Sequence, residues 1–257
     1  MPGRLDPTSD TPLYKQIAAR LRDQIENSEL KPGASLPSES SLMEQYGAAR
    51  GTVRQALGLL RSEGSIVIAR GRGAFVRDHA PVRRLAHDRF SRAHRAAGQS
   101  AFLAELEAQG MEPEVEVLEV GPRKAPTDVA RRLGLRTGAK VLIRRRCYLA
   151  NGHPVELAIS YLPWRLAEGS PIAEPNPGPG GIYARLEEAG HRLAYFAEDL
   201  RARMPLPEEA KALALGGGVP VIHLVRTAYD TDDQAVEVCD TLMAADSFIL
   251  SYRLPAD

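Results

Sequence analysis

The chain has 257 residues, 44% hydrophobic and 26% charged, enough for one large domain or two smaller ones with a real core, which excludes wholesale disorder. No apolar run approaches the roughly 18 residues of a membrane span. The N-terminal stretch MPGRLDPTSDTPLYKQ lacks the apolar segment of a secretory signal, so a cytoplasmic protein with no membrane partner is expected. The formal net charge of zero hides a split: residues 1–95 hold 16 basic and 10 acidic side chains, and residues 96–257 hold 17 and 23. Such a split predicts two domains, the first with an anionic partner, although a solvated basic face gives the same count. Cys147 and Cys239 lie outside any C-x-x-C pattern and read as buried, reduced thiols.

Leu13, Ile17, Leu21 and Ile25 recur every four residues and predict an amphipathic helix from about Pro12 to Ser28, broken by Lys31-Pro32-Gly33. Ser38 is an N-cap candidate for a second helix with Leu42 and Tyr46 inward, and Gly47 supplies the turn. A third helix is expected from Ala49 to Glu63, with Val53, Leu57 and Leu60 on its buried side and Gly64 ending it. Ser65–Ala69 and Gly73–Arg77 read as two strands around a basic tip, Arg70-Gly71-Arg72.

Three helices followed by a hairpin describe a winged helix-turn-helix. The third helix opens on Arg50-Gly51-Thr52-Val53-Arg54, placing cations at the end where the helix dipole disfavours them. With Val53, Leu57 and Leu60 inward, Arg50 and Arg54 share the outer face. A recognition helix enters the major groove by this end, where phosphates or guanine edges offset the dipole.

Residues 12–77 resemble the DNA-binding domain of the GntR family of bacterial transcription regulators. The matching stretches are PLYKQIAARLRDQI, KPGASLPSES, RGTVRQALGLLRSEG and ARGRGAFV. The resemblance implies a double-stranded DNA operator as partner, contacted by Ser38, Arg50, Thr52 and Arg54, with Arg70, Gly71 and Arg72 at the wing. Two positions depart from the family pattern: Ser40 stands where an Arg is usual, and Gly51 where a Ser or Thr is usual.

Residues 78–100 are polar and rich in Arg, including Arg83, Arg84, Arg89, Arg92 and Arg95, and are expected to be an interdomain linker near DNA. His87 and His94 fall here with the wrong spacing for a metal pair, so no metal site is expected.

From 101 to 257 helical and strand-like stretches alternate. Helices are expected at Phe102–Gln109, Pro126–Leu133, Gly181–Ala189 and Pro207–Leu215. Strands are expected at Glu114–Val120, Val141–Leu149, Val155–Leu162, Ala194–Ala202, Val219–Tyr229 and Ala235–Met243. The turns Ala150-Asn151-Gly152 and Thr231-Asp232-Asp233 favour antiparallel pairing, giving an α+β domain around one antiparallel sheet.

This portion is similar to the effector-binding (UTRA) domain of the HutC subfamily, whose fold is shared with chorismate lyase. The stretches that carry the likeness are VLIRRRCYLANGHPVELAISYLP, GGIYARLEEAGH and GVPVIHLVRTAYDTDDQAVEVCD. The resemblance implies a ligand pocket in the sheet, a homodimer formed through this domain, and operator binding controlled by a small-molecule effector. The implied pocket residues are Arg146, Tyr148, Gly180, Gly181, Tyr183, Glu237 and Met243.

Relatives that sense sugar phosphates carry R-x-R where this chain has Arg146 and Tyr148, a Ser where it has Gly181, and an acid where it has Ala158. Those departures speak against an amino-sugar phosphate. Arg146 beside a glycine-rich helix start fits a carboxylate or other mono-anion. The competing possibility is that Arg146 and Glu237 form a structural ion pair.

No nucleophile elbow, metal-ligand cluster or phosphate loop stands in the sequence, so no enzyme activity and no cofactor are expected. The expected function is a ligand-responsive repressor. A lyase-like enzyme and a DNA binder without an effector are the alternatives.

Overall fold

A computed structural model describes residues 5–69, 73–77, 81–85, 101–216 and 218–253. The chain forms two compact units, the first of residues 1–80 with 215–219 and the second of residues 81–214 with 220–257.

In the first unit, helices α1 (Leu13–Glu26), α2 (Glu39–Tyr46) and α3 (Arg50–Ser62) precede a hairpin of β1 (Ile66–Ala69) and β2 (Gly73–Val76). The four-residue spacing along α1 buries Ile17, Ala18 and Leu21 against Val53, Ala56, Leu57 and Leu60 of α3. Ser38 Oγ accepts the Ser41 N–H at 3.1 Å, the N-cap bond that the sequence predicts. Gly47 ends α2 at φ 60°, a left-handed conformation that suits glycine. The hairpin is antiparallel, Ile66 opposite Val76, and the chain before α2 joins its free edge through Leu36 N–H to Ala74 O at 2.8 Å. Arg22 on α1 grips Glu63 with both nitrogens of its fork, tying α1 to the end of α3.

The second unit contains β3 (Val82–Leu85), α4 (Ala101–Glu107), β4 (Pro113–Lys124), α5 (Thr127–Arg132), β5 (Lys140–Ala150) and β6 (His153–Pro163). There follow α6 (Trp164–Ala167), a 3-10 turn at Pro171–Ala173, α7 (Gly181–Glu188), β7 (Leu193–Arg203) and α8 (Pro207–Ala212). It closes with β8 (Val221–Asp230), β9 (Ala235–Ala244) and β10 (Phe248–Ser251). Six strands make one antiparallel sheet in the order β4-β5-β6-β9-β8-β7. The β5–β6 turn uses Asn151 at φ 50° and Gly152 at φ 76°, the left-handed pair of a tight hairpin.

The sheet is an internal duplication. Each half is a three-stranded meander with a short helix before its second strand: β4-α5-β5-β6, then β7-α8-β8-β9. The halves join where β6 pairs β9, and the register there is two-fold: Ala158 faces Thr241 while Ser160 faces Cys239. Arg146 opposite Ala158 in the first half is thereby equivalent to Arg226 opposite Cys239 in the second.

Two findings depart from the sequence expectation. Val82–Leu85, within the expected linker, form a strand that pairs in parallel with β10 as a separate two-stranded sheet. Arg84, grouped by its sequence with the solvated linker arginines, is 2% exposed and bonded to Glu198 at 2.5 Å. Burial of an arginine is tolerable because that carboxylate compensates it.

Candidate functional site

On the first unit, α3 presents two contrasting faces. Val53, Ala56, Leu57 and Leu60 are buried, while Arg50 and Arg54 keep 67% and 70% of their side-chain surface. Ala49 provides no side-chain cap and no acid lies in the first turn, so the leading N–H groups of α3 remain open to an anion. Glu39 stands between the two arginines, 3.8 Å from Arg50 Nε and 3.7 Å from Arg54 Nε. Contacts this long and exposed are worth under about 1 kcal/mol and yield to a phosphate. Thr52 is partly exposed at the same end, and Ser38, exposed, already spends its hydroxyl on the α2 cap. Arg70, Gly71 and Arg72 lie outside the described residues, as do His87 and His94.

On the second unit, one sheet face packs against α5 through Val129, Ala130, Leu133, Val141, Ile143 and Val238. The opposite face carries two apolar clusters. Leu142, Leu162, Ile172, Ile182, Tyr183 and Leu186 gather under α6 and α7. Val82, Phe102, Leu106, Leu224, Met243 and Phe248 gather under α4 and β10.

Polar rows cross this second face. One row runs Arg144, Ser160, Cys239, Arg226, Glu198; the next runs Arg146, Ala158, Thr241, Leu224; the third runs Tyr148, Glu156, Met243, Ile222. Arg146 donates to Ser160 Oγ at 2.6 Å, and among the described residues no carboxylate lies within ion-pair distance of it. Ser160 continues to Cys239 Sγ at 3.7 Å, which meets Thr241 Oγ1 at 3.5 Å.

Glu237, 1% exposed, pairs with Arg226 at 3.7 Å and accepts a short hydrogen bond from the Tyr183 hydroxyl. The suggested Arg146–Glu237 pair is therefore not formed. Burial, with Glu237 beside it, holds the Tyr183 hydroxyl well above the usual phenol range, so it stays a donor. Arg144 donates to the carbonyls of Ile172 and Glu174 and, at 2.8 Å, of Pro175, clamping the segment before α7. Burial and then the neighbouring Arg146 cation push its guanidinium down to about 10.

Among the residues expected to line the pocket, Tyr183 and Glu237 meet directly. Tyr148 packs edge-on against Phe102 at 4.8 Å with the Arg146 guanidinium 5.5 Å from its ring, and Met243 is fully buried in the same apolar cluster. Gly180 and Gly181 open α7 at φ 75° and 65°, without a side-chain cap. Sequence reasoning missed Arg226, Ser160 and Glu156. The duplicated strand pattern was the signal, since Arg226 and Glu237 repeat Arg146 and Glu156.

The geometry agrees with the relationships of the chain. Residues 13–76 match the model of bacterial regulatory proteins of the gntR family, and residues 108–249 match the UTRA domain. An HTH-type transcriptional regulator of Streptomyces coelicolor is 34% identical over 94% of this chain and 92% of its own length. The HTH-type transcriptional repressor NagR of Bacillus subtilis is 29% identical, with 96% of both chains covered. The crystal structure of PhnF from Mycobacterium smegmatis superposes with a TM-score of 0.60 at 25% identity, over 94% of this chain and 100% of that one. The chain therefore belongs to the GntR family of bacterial regulatory proteins and is a ligand-responsive transcription regulator, its winged helix-turn-helix joined to a UTRA effector-binding domain.

Proposed function

We propose that the protein is a repressor of the HutC type that binds a palindromic operator as a homodimer and leaves it when a small-molecule effector bearing an anionic group enters the UTRA domain. The observation that carries the DNA reading is the outer face of α3, where Arg50 and Arg54 stand two-thirds exposed above a fully buried inner face. Arg50, Thr52 and Arg54 contact base edges and phosphates, and Ser38 lies at the adjoining helix start. Arg70, Gly71 and Arg72 of the wing track the backbone.

The effector reading rests on Arg146, a guanidinium facing the sheet interior with a hydroxyl as its bonded partner and, among the described residues, no carboxylate within ion-pair distance. Tyr148, Gly180, Gly181, Tyr183, Glu237 and Met243 complete the pocket. Residues 1–77 form the DNA-binding domain, 101–257 the effector and dimerisation domain, and the segment between them transmits the coupling. Effector affinity for the DNA-free form exceeds that for the bound form, and operator affinity falls by the same factor. No catalytic step and no cofactor enters this scheme, and the protein acts in the cytoplasm.

Electrophoretic mobility shift with the DNA upstream of its own gene tests the scheme. Wild type retards the fragment as a dimer, and Arg54→Ala retards it only at protein concentrations about tenfold or more higher. Equal retardation by both, or a monomer in sedimentation at the binding concentration, overturns it.

A further inference from the structure

Glu156 is 4% exposed, its Oε2 is wholly enclosed, and the side chain makes no hydrogen bond and no ion pair among the described residues. A buried carboxylate with no bonded partner is costly, and natural folds retain one where something else completes it. The cation nearest in register is Arg146, on the neighbouring strand, two residues along on the same face: Arg146 lies opposite Ala158, and Glu156 opposite Tyr148. The two do not meet. Arg146 turns toward Ser160, and its own Nε is enclosed without a partner.

The duplicated half shows what the same two residue types do when nothing comes between them. Arg226 and Glu237 occupy the equivalent places, close to 3.7 Å, and Tyr183 adds its hydroxyl to the carboxylate. One half is thus compensated internally, while the other holds a cation and an anion apart in a low-dielectric setting. A ligand carrying only negative charge satisfies Arg146 but adds repulsion at Glu156. A ligand with both charges satisfies both.

We propose that the pocket receives a small zwitterion of amino-acid type, its carboxylate on Arg146 and its protonated nitrogen on Glu156. This rests on the assignment of Arg146 to the effector site and names the chemical class of the effector. The surroundings of Glu156 fit a cationic nitrogen. Its cross-strand neighbours are Tyr148 and Met243, and the Tyr148 ring is packed against Phe102. Aromatic faces beside a carboxylate stabilise ammonium groups. Diagonal neighbours on adjacent strands lie about 7–8 Å apart, a span that short amino acids bridge once two side chains reach inward.

The test is calorimetric titration of the full chain with γ-aminobutyrate, δ-aminovalerate and the common α-amino acids, each against the matching acid without nitrogen and the matching amine without carboxylate. At least one amino acid is expected to bind about tenfold tighter than its nitrogen-free acid, a ratio that falls to near one in Glu156→Gln. Arg146→Gln is expected to abolish binding of both. Apo Glu156→Gln is expected to melt higher than wild type, because the amide removes a buried charge.

The zwitterion proposal is overturned if no amino acid binds or if the nitrogen-free acids bind as tightly. It is overturned equally if Glu156→Gln melts lower than wild type. In the second case, loss of acid binding in Arg146→Gln leaves the effector role of Arg146 standing. Binding that survives Arg146→Gln removes that role as well.

Discussion

Glu237 pairs with Arg226, at 3.7 Å, and not with Arg146. The pair is almost wholly enclosed, so its third member, the Tyr183 hydroxyl, decides how well the carboxylate is satisfied. Tyr183→Phe removes that donor with almost no change in volume. A loss of about 1–3 kcal/mol in urea unfolding is expected, and unchanged stability would show that the carboxylate has another donor.

Arg144 carries a similar structural duty at the start of α7. Its guanidinium serves three carbonyls, those of Ile172, Glu174 and Pro175. Arg144→Met removes this donor from all three and leaves the buried Ile172 carbonyl without it. The expected cost is about 3 kcal/mol or more, read as a lowered midpoint in chemical denaturation. A change below about 1 kcal/mol would mean the segment is held by other contacts.

Asp230, 2% exposed, caps the β8–β9 turn, accepting the Gln234 N–H at 2.9 Å, the Asp232 N–H at 3.1 Å and a His191 contact at 2.8 Å. Burial pulls its carboxyl upward, but these hydrogen bonds outweigh burial and hold it below the ordinary range. A carboxyl lowered by folding contributes its stability above the unfolded value of about 4 and loses it as pH falls through the folded value. Asp230→Ala is therefore expected to cost about 1–2 kcal/mol near neutrality, with the gap to wild type narrowing below about pH 4. A gap that stays constant on acidification would remove the charge from the account.

For the DNA face, Arg54→Ala should weaken operator binding by about 1–3 kcal/mol in fluorescence anisotropy. Glu39→Gln should strengthen it modestly, since the carboxylate within 3.8 Å of both arginines competes with phosphate. Wild-type affinity should fall steeply with salt, and the slope of log K against log salt should become shallower by about 0.9 for each phosphate contact removed. A flat salt dependence would contradict the phosphate contacts.

The first unit was legible almost to the residue. Helical spacing marks both faces of α1 and α3, and Ser38 and Gly47 announce the ends of α2 through local chemistry alone. The sheet strands were legible by alternation, but their limits were not. The expected strand at Glu114–Val120 continues through Gly121 and Pro122 to Lys124, because β4 is an edge strand, where a missing N–H costs the ladder nothing. Strands β3 and β10, four residues each, have no period long enough to read, and their partners lie at opposite ends of the unit. The candidate site suffered from the same non-locality. Residue types at Arg146 and Glu237 were visible, but which carboxylate meets which guanidinium depends on strand register, and that placed Arg226 beside Glu237.

The pairing of Val82 with Phe248 also orders events during synthesis. The core of the DNA-reading head, from Ile17 to Val76, is complete in sequence before Val82 emerges, so it can fold on the nascent chain. The second unit must hold its opening strand unpaired until Ser251 clears the ribosome, a delay on the order of ten seconds at ordinary elongation rates. A truncated translation product therefore carries a finished DNA-binding head with no completed ligand sensor attached.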